Sequence, residues 1–279
     1  MKVSFTALLA SAASLLTVAQ GANPWRALHG LTSSEYGDKL RAMTSDGYRP
    51  YYISGYSTSR GEARYNAIFE KPQSGPAWRT NYGYSREAYN KAFNELKDDG
   101  FRPLLVQGYN AGGERRYASI WEKNTSNIAW SERTNISGDD FTKWFTEFIE
   151  KGYRLRSISG YSFGDDQQFA GVWEKKTSVP WKAYAGLTTT QYQAKFDELK
   201  KDGYYTVQIC PYTVGGKVYF AGIFEKMDGR EEKPYTRYGM TSAEYQDVYD
   251  EYKKKGFRPT VVAGYLDGGE KFAAIFVKE

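Results

Sequence analysis

The chain has 279 residues and a formal net charge of +5, and its Lys and Arg residues alternate with Asp and Glu instead of forming a basic stripe. This balance argues against a nucleic-acid partner and against an anionic membrane surface. A single cysteine, Cys210, excludes an internal disulfide, so packing has to hold the fold together.

Residues 1–21 have the pattern of a secretory signal peptide. Lys2 is followed by a small, apolar run from Ala7 to Ala19, and Ala19 and Gly21 have the small-residue spacing of a cleavage site. A membrane anchor is the alternative, but the run is short and contains Ser and Thr. We therefore expect a secreted, extracellular protein whose mature part, residues 22–279, is a single repeat domain.

The mature part repeats one pattern five times, in copies of about residues 22–73, 74–125, 126–177, 178–229 and 230–279. The glycines that mark the period are Gly47, Gly100, Gly152, Gly203 and Gly256. A tryptophan stands 22 residues before each of the first four glycines, and Tyr235, 21 residues before the fifth, is assigned to the same place. One such unit cannot bury its apolar face alone, so the copies have to stack on each other.

Each copy opens with the pattern of an amphipathic helix of about three turns. The expected N-caps are Thr32, Ser85, Ser137, Thr188 and Thr241, and copies one, four and five complete a capping box with Glu or Gln three residues later. Large apolar side chains follow at helical spacing, as in Tyr36, Leu40 and Met43. The period glycine then stands where a helix C′ position favours positive φ.

Two strands follow the helix and predict a β-hairpin. In copy one they read GYRPYYISGYS (47–57) and RYNAIFEK (64–71), and turn residues separate the two strands in the copies. The second strand carries one small residue in each copy, which predicts close approach of the helix: Ala67, Ser119, Gly171, Gly222 and Ala274. The predicted fold is α+β, with five tandem helix–β-hairpin repeats.

Charged residues of the two strands are expected to face each other within a copy. Pairing the strands about the turn relates Arg49 to Glu70, Arg102 to Glu122 and Arg154 to Glu174. We interpret these as cross-strand ion pairs and not as a charged ligand clamp. Copies four and five show that the pair can lose either member, because they have Tyr205 with Glu225 and Arg258 with Val277.

The stack of copies is predicted to close into a ring, with an open solenoid as the alternative. An open solenoid needs polar outer faces on its terminal copies. The last strand, residues 272–277, is the least polar of the five and has Val277 where other copies have Glu. Since an exposed edge of this kind promotes aggregation, we expect copy five to pack against copy one.

Three segments of copy one resemble a known repeat: W-R-A-L-H-G-L-T-x-x-E-Y, G-Y-R-P-x-x-I-S-G-Y and R-Y-x-A-I-F-E-K. They are similar to the structural repeat of the polyglycine hydrolases, which are secreted fungal proteins, and to a bacterial tandem-repeat domain. The resemblance covers residues 23–279. It implies that such repeats precede a serine β-lactamase-like domain, in enzymes that cut glycine-rich linkers of plant defence chitinases.

The catalytic signature of those enzymes does not occur in this sequence. That class uses Ser-x-x-Lys, and no serine here has a lysine three residues later. The resemblance therefore implies the repeat fold and a role in substrate engagement, and it does not extend to peptidase activity.

Other catalytic or metal-binding patterns are also absent from the sequence. His29 is the only histidine, and no spacing joins it to Cys210, which we expect to be buried and unreactive. Acidic residues do not cluster with either at metal-ligand spacing. Gly-rich turns such as 214–216 do not lead into a helix, which argues against a phosphate loop. We predict no catalytic residues, no metal and no cofactor.

Function is expected where the copies disagree, on exposed loops. Two adjacent positions that lie a few residues before each helix, Leu28 and His29 in copy one, vary most, and equivalent loops of a stacked array fall on one face. The candidate ligand-binding residues there are His29, Tyr82, Arg133, Tyr184, Arg237 and Tyr238. Aromatic residues and Arg are typical of binding hot spots, and packing between copies is the alternative. Tyr51, Tyr52 and Tyr205 are further aromatics off the repeat pattern, and Asn124 and Asn135 begin N-x-S sequons and are glycosylation candidates.

The sequence leaves three classes of function open. The first is a secreted, non-catalytic binding module for an extracellular protein, such as a host chitinase, or for a cell-wall glycan. The second is a hydrolase or peptidase with an unrecognised site. The third is a scaffold for a separately encoded catalytic chain. Neither nucleic acid nor a membrane is expected as a partner.

Overall fold

The computed structural model describes residues 23–176, 179–229 and 231–279, so the predicted signal peptide lies outside the described residues. Copies one and two contain β1 (Trp25–Leu31), α1 (Ser33–Ser45), β2 (Arg49–Ser57), β3 (Ala63–Glu70), β4 (Trp78–Tyr84), α2 (Arg86–Asp98), β5 (Phe101–Ala111) and β6 (Glu114–Lys123). Copy three contains β7 (Trp130–Ile136), α3 (Gly138–Glu150), β8 (Arg154–Phe163) and β9 (Asp166–Glu174). Copies four and five contain β10 (Trp181–Thr188), α4 (Thr189–Lys201), β11 (Tyr204–Val214), β12 (Lys217–Lys226), β13 (Tyr235–Met240), α5 (Ser242–Lys254), β14 (Phe257–Leu266) and β15 (Glu270–Lys278).

Each copy forms its own antiparallel sheet of three strands, with one helix, and the fold is α+β. The central strands are β3, β6, β9, β12 and β15; the inner strands are β2, β5, β8, β11 and β14; the outer strands are β1, β4, β7, β10 and β13. The predicted hairpin is present as the pairing of inner and central strands. The outer strand, which precedes the helix, was not predicted.

A β-bulge explains why the outer strands escaped the sequence pattern. In β1 the pairing with β3 shifts between Leu28 and Leu31, and Gly30 within this bulge has φ +67°. Copy three has Asn135 at the same place with φ +60°. The extra residue and the Gly or Asn interrupt the alternation by which a strand is recognised.

The helices begin and end as the sequence predicts. All five N-cap side chains accept a backbone hydrogen bond, and complete capping boxes form at Thr32, Thr188 and Thr241. After α1, Gly47 has φ +81°, and Tyr48 N–H donates to Met43 O, which closes a Schellman motif. The first large residue of each helical stripe is buried: Tyr36, Tyr89, Phe141, Tyr192 and Tyr245.

The assignment of Tyr235 to the tryptophan position was wrong by one residue. Trp25, Trp78, Trp130 and Trp181 pair with Glu70, Glu122, Glu174 and Glu225 of the central strands. Tyr235 pairs with Phe276, one step further along, as Arg26 pairs with Phe69. Pro234 therefore occupies the tryptophan position in copy five. The sequence pattern missed this because the next residue, Tyr235, is also aromatic.

Inner strands of neighbouring copies lie side by side without joining into one sheet. Strands β2, β5, β8, β11 and β14 contact each other in this order, and β14 also contacts β2. Side chains satisfy the facing backbone groups: Ser159 Oγ accepts from Gly108 N–H at 3.1 Å and donates to Gly108 O at 3.2 Å. Ser54 Oγ donates to Val262 O at 2.7 Å, between copies one and five.

A tyrosine of each following copy covers an inner-strand glycine. Tyr109, Tyr161 and Tyr212 lie over Gly55, Gly108 and Gly160, and Tyr56 of copy one lies over Gly264 of copy five. A Cβ atom at Gly55 would lie 2.5 Å from the Tyr109 ring. Copy four has Pro211 at this position. These contacts explain why the phrase Gly-Tyr recurs.

The arginines and glutamates pair mainly between copies, which corrects the predicted pairing within each copy. The strand register is as predicted, with Arg49 opposite Glu70 and Arg154 opposite Glu174. The ion pairs nevertheless join Arg102 to Glu174 at 2.8 Å, Arg154 to Glu225 at 2.5 Å and Arg258 to Glu70. Of these three arginines, only Arg102 also reaches the glutamate of its own copy, Glu122, at 2.7 Å, and Arg156, which lies outside this register, pairs with Glu174 within copy three.

The inter-copy pairing follows from how the copies overlap. Each inner strand lies against the central strand of the next copy: β2 on β6, β5 on β9, β8 on β12, β11 on β15 and β14 on β3. A side chain near the start of an inner strand therefore reaches the glutamate of its neighbour as easily as its own.

Within the ranges that the structure describes, none of the helices has the length and apolar character that crossing a membrane requires.

Candidate functional site

Every inner strand contains one residue that has no partner in its ladder. The register of β2 with β3 passes from Pro50–Phe69 to Tyr52–Ile68 and skips Tyr51. The same shift occurs in the other four copies, and the skipped residues, here called the bulge residues, are Tyr51, Leu104, Arg156, Val207 and Thr260. A bulge redirects a side chain out of the ladder. These five side chains therefore converge at the amino ends of the inner strands.

The bulge residues line a cavity of about 590 Å³, here called the bowl, to which all five copies contribute. Buried Tyr52, Leu105, Ser157, Gln208 and Val261, one residue further along each inner strand, form its floor. Tyr51 and Val179, two of the most exposed large apolar residues, lie on its wall with exposed fractions of 42% and 46%. This volume is within the range of about 300–1,000 Å³ that ligand sites occupy.

Basic side chains outnumber acidic ones around the bowl, although its lining alone has four of each. Arg49, Arg154, Arg156 and Lys176 line it together with Glu70, Glu122, Glu174 and Glu225. Arg102 and Arg258 bind these glutamates from just outside. Six basic and four acidic side chains thus meet at this end of the inner strands, which leaves an excess of two positive charges.

Arg156 is held in a defined orientation in the bowl. Its Nε donates to Leu104 O at 3.0 Å, and its Nη1 lies 3.2 Å from Glu174 Oε1. Burial raises the pKa of Tyr51, the nearby Glu70 charge adds to this, and Arg258 and Arg156 partly oppose it. The Tyr51 phenol therefore remains a neutral hydrogen-bond donor at physiological pH.

A smaller cavity of about 270 Å³ lies at the carboxyl ends of the inner strands. The tyrosines of the Gly-Tyr phrase form its wall, together with Pro211 and small polar residues. The tyrosine hydroxyls are engaged within the protein: Tyr109 with Tyr65 at 2.7 Å, and Tyr212 with Gln167 at 2.8 Å. Because its walls repeat the same dipeptide and its volume is small, this cavity is explained by the packing of the copies.

Three of the six candidate residues pack on the helix of the preceding copy. Tyr82 lies 4.6 Å from Tyr36, and Tyr238 lies 5.6 Å from Tyr192, measured between ring centroids. His29 of copy one contacts Tyr245 of copy five in the same way, at 4.6 Å. Burial lowers the pKa of His29, which therefore remains neutral at physiological pH. These are packing contacts between copies, which is the alternative to ligand binding given above for the candidate residues.

The other three candidates contact residues of their own copy. Arg133 stacks over Trp144, with 4.2 Å between the guanidinium carbon and the ring centroid. Lys195 lies 5.2 Å from the Tyr184 ring centroid, and exposed Arg237 donates to Tyr235 Oη at 2.5 Å. Ligand binding by the six residues stays a prediction, and they lie apart from the bowl, whose lining includes none of them.

The two glycosylation candidates have structural roles of their own. Asn124 Oδ1 accepts from Ile128 N–H, and its Nδ2 donates to Ile128 O, both at 2.9 Å. Asn135 occupies the left-handed bulge position of β7, and its N–H donates to Tyr161 Oη at 3.0 Å. Glycosylation of either residue stays a prediction.

His29 and Cys210 have separate surroundings. His29 Nε2 lies 2.9 Å from Ser242 Oγ, whereas Cys210 is buried against the backbone of Gly160. Burial raises the pKa of the Cys210 thiol to about 11, so the thiolate does not form at physiological pH. Among the described residues no cluster of His, Cys, Asp and Glu has the geometry to hold a metal ion.

Sequence reasoning missed the bowl, although one signal was present. Tyr51, Tyr52 and Tyr205 are aromatic residues off the repeat pattern, and Tyr51 is a bulge residue. The two positions after Arg-Pro differ between copies while their neighbours repeat, which is the mark of a functional position in a repeat array. Only the register shift shows that one of the two side chains leaves the ladder.

A comparison with protein families identifies the repeat. The family described as "Polyglycine hydrolase-like, structural repeat" matches the chain five times, at residues 22–72, 75–124, 127–176, 178–227 and 232–279. The resemblance inferred from the sequence is thereby confirmed, and the matched segments coincide with the five copies of helix and three-stranded sheet. Since the five matches together span most of the chain, this protein belongs to the polyglycine hydrolase-like structural repeat family.

Proposed function

We propose that this chain is a secreted, non-catalytic binding module that recognises an extracellular protein, such as a host chitinase, or a cell-wall glycan. The bowl is the observation that supports this proposal. Its frame of strands is repeated five times, and Arg–Glu ion pairs join the copies at three of the interfaces among the described residues, but the bulge residues that point into it differ in every copy. A repeated frame with variable, convergent side chains is typical of the binding surfaces of repeat proteins.

Binding to an intact chitinase with a polyglycine linker tests this function. The purified mature chain is titrated by calorimetry with that chitinase and with a linker-deleted chitinase, and its retention on insoluble chitin is measured in a sedimentation titration. Saturable binding that requires the linker supports recognition of a protein substrate of this family. Retention on chitin alone moves the assignment to a glycan-binding module, and no binding in any of the three titrations contradicts both.

We further propose that the five copies are closed into a ring in solution. Contacts between copies five and one support this: Trp25 Nε1 donates to Glu279 Oε1 at 2.6 Å, and Tyr56 Oη donates to Glu270 Oε2 at 2.7 Å. The Arg258–Glu70 ion pair joins the same two copies. In an open solenoid these groups would face water, and both terminal copies would expose apolar surface.

Small-angle scattering of a circularly permuted chain tests the ring. Residues 23 and 279 are joined by a short linker, and new termini are placed in the connection between copies two and three. A ring predicts the compact scattering profile of the parent chain and a similar melting temperature. An elongated profile for the parent, or a permuted chain that fails to fold, would contradict closure.

A further inference from the structure

We propose that the bowl binds an acidic peptide segment, whose carboxylate is received by Arg156 and whose apolar side chains lie against Tyr51, Leu104 and Val207. This inference rests on the proposed binding function and names the site and the ligand chemistry. It applies to the end of the molecule at which the five inner strands begin.

The charge of the bowl selects an anion. Arg102 and Arg156 both bind Glu174 and Arg102 also binds Glu122, so these ion pairs balance each other and the positive excess lies with Arg49 and Lys176. Arg49 also lines the bowl and has no carboxylate within 4.0 Å among the described residues. An added carboxylate would balance part of this excess and would receive charge-assisted hydrogen bonds, which are the strong ones in proteins.

Arg156 is the bulge residue suited to receive that carboxylate. Its Nε and Nη1 are fixed by Leu104 O and Glu174, and its Nη2 makes no hydrogen bond to the described residues. The side chain is 31% exposed, so the guanidinium is accessible from the cavity. A guanidinium already held in place loses little conformational entropy when it binds a ligand.

The remaining bulge residues favour a peptide over a sugar acid. Leu104, Val207 and the neighbouring Val179 give the wall an aliphatic character, and Thr260 adds one hydroxyl. Tyr51, with the Arg258 guanidinium carbon 5.6 Å from its ring centroid, is the one aromatic bulge residue. Aliphatic walls beside a cation suit apolar side chains next to Asp or Glu, whereas a uronic acid needs hydrogen-bond partners for several ring hydroxyls, and Leu104, Val207 and Val179 offer none.

Fluorescence anisotropy tests the inference with the mature chain and a labelled peptide in which Glu alternates with Leu. We expect saturable binding that weakens as salt increases and that falls at least about tenfold when the Glu residues are replaced by Gln. Arg156→Gln should weaken binding by about tenfold or more. Arg41→Gln, which removes an exposed charge on α1, is the matched control and should leave affinity unchanged.

A second variant keeps the test decisive if Arg156→Gln does not fold. Val207→Trp fills the bowl and keeps every charge, so it should abolish peptide binding while the melting temperature stays close to that of the parent. Equal affinity for the Glu and Gln peptides, or full binding by Val207→Trp, would overturn the inference. Saturable binding of labelled oligogalacturonate by a chain that does not bind the peptide would also overturn the inference and would identify an acidic glycan as the ligand.

Failure of this inference is distinguishable from failure of the binding function. If a chitinase or chitin binds equally to the parent, Arg156→Gln and Val207→Trp, the module function stands and the bowl is not its site. If neither partner binds but the peptide does, the bowl is a peptide site and the proposed partners are wrong.

Discussion

At the scale of single residues, four glycines are required by a neighbouring ring and not by their own backbone. Gly55, Gly108, Gly160 and Gly264 have φ values outside the left-handed region, so any residue could adopt their conformation. What excludes a side chain is the tyrosine of the following copy, which occupies the space of a Cβ atom. The glycine in Gly-Tyr is therefore a docking surface for the next repeat.

We expect Gly108→Ala to destabilise the protein by about 1–3 kcal/mol, because the new methyl group forces the Tyr161 ring out of place. Gly138→Ala is the matched control, since a Cβ there has only an ordinary contact of 3.8 Å with Phe169. Urea denaturation of both variants measures the difference. Equal stabilities for the two variants would contradict the steric role.

Glu132 is a buried carboxyl at another contact between copies. The residue is 7% exposed, and Tyr89 Oη of copy two donates to its Oε2 at 2.8 Å. Burial raises the pKa of Glu132 from 4.5 to about 8, while Tyr89 and Arg133 partly oppose this. The carboxyl is therefore protonated in the folded protein at neutral pH.

Stability should fall as the pH rises because of Glu132. In the unfolded chain this carboxyl ionises near pH 4.5, whereas in the folded chain it keeps its proton until about pH 8, so unfolding releases a proton between these values. Glu132→Gln removes this dependence and should be the more stable protein at pH 9, by at most ~5 kcal/mol. Urea denaturation at pH 5, 7 and 9 measures this, and two parallel stability curves would show that Glu132 is ionised when folded.

At the scale of the elements, side chains provide the hydrogen-bond partners of backbone groups at the edges of the inner strands. Ser159 bridges Gly108 N–H and O, and Cys210 lies in the same way against Gly160 N–H and O, at 3.4 and 3.7 Å. Each such side chain takes the place of a ladder hydrogen bond. Buried strand edges are thereby closed without forming a continuous barrel.

Ser159→Ala should cost about 1–3 kcal/mol, because it leaves a buried N–H and a buried carbonyl of Gly108 without partners. Ser159→Cys, which copies the arrangement of copy four, should recover part of this loss. Thermal denaturation of the two variants measures the effect. If alanine is tolerated as well as cysteine, water satisfies the strand edge and the side chain does not.

The helices and hairpins could be predicted from the sequence because their signals are local. N-caps such as Thr32, the helical stripe and the C′ glycine Gly47 all act within a few residues. The outer strands and the bowl could not be predicted, since both depend on bulges. A bulge is a shift in pairing between two strands, and the sequence does not show where it occurs. Tyr51 and Tyr52 are equivalent candidates in the sequence, and only the observed pairing shows that Tyr51 leaves the ladder.

At the scale of the whole molecule, the pairing between copies explains an irregularity of the sequence. Within one copy, Tyr205 opposite Glu225 and Val277 opposite Arg258 are two separate mismatches. When the pairing between copies is considered, the two mismatches become one replacement of an Arg–Glu pair by two uncharged residues, because β11 of copy four lies against β15 of copy five. Tyr205 and Val277 then occupy the positions at which Arg and Glu form ion pairs at three other interfaces.

Tyr205→Arg and Val277→Glu test this pairing as a double-mutant cycle. Each single variant should be destabilised by ~1 kcal/mol or more, because the new charge meets an uncharged partner in the adjacent copy. The double variant should recover stability through a favourable coupling of about 1 kcal/mol, measured by urea denaturation. Additive losses, or single variants as stable as the parent, would indicate pairing within a copy.

The overlap of each inner strand with the next central strand also has a consequence for the history of the gene. A substitution near the start of an inner strand changes the surroundings of the following copy as well as those of its own. Compensating changes are therefore expected one period downstream, as Tyr205 and Val277 illustrate. We therefore expect selection to act on the junctions between copies, so that neighbouring copies diverge as matched pairs and are not freely exchanged by recombination.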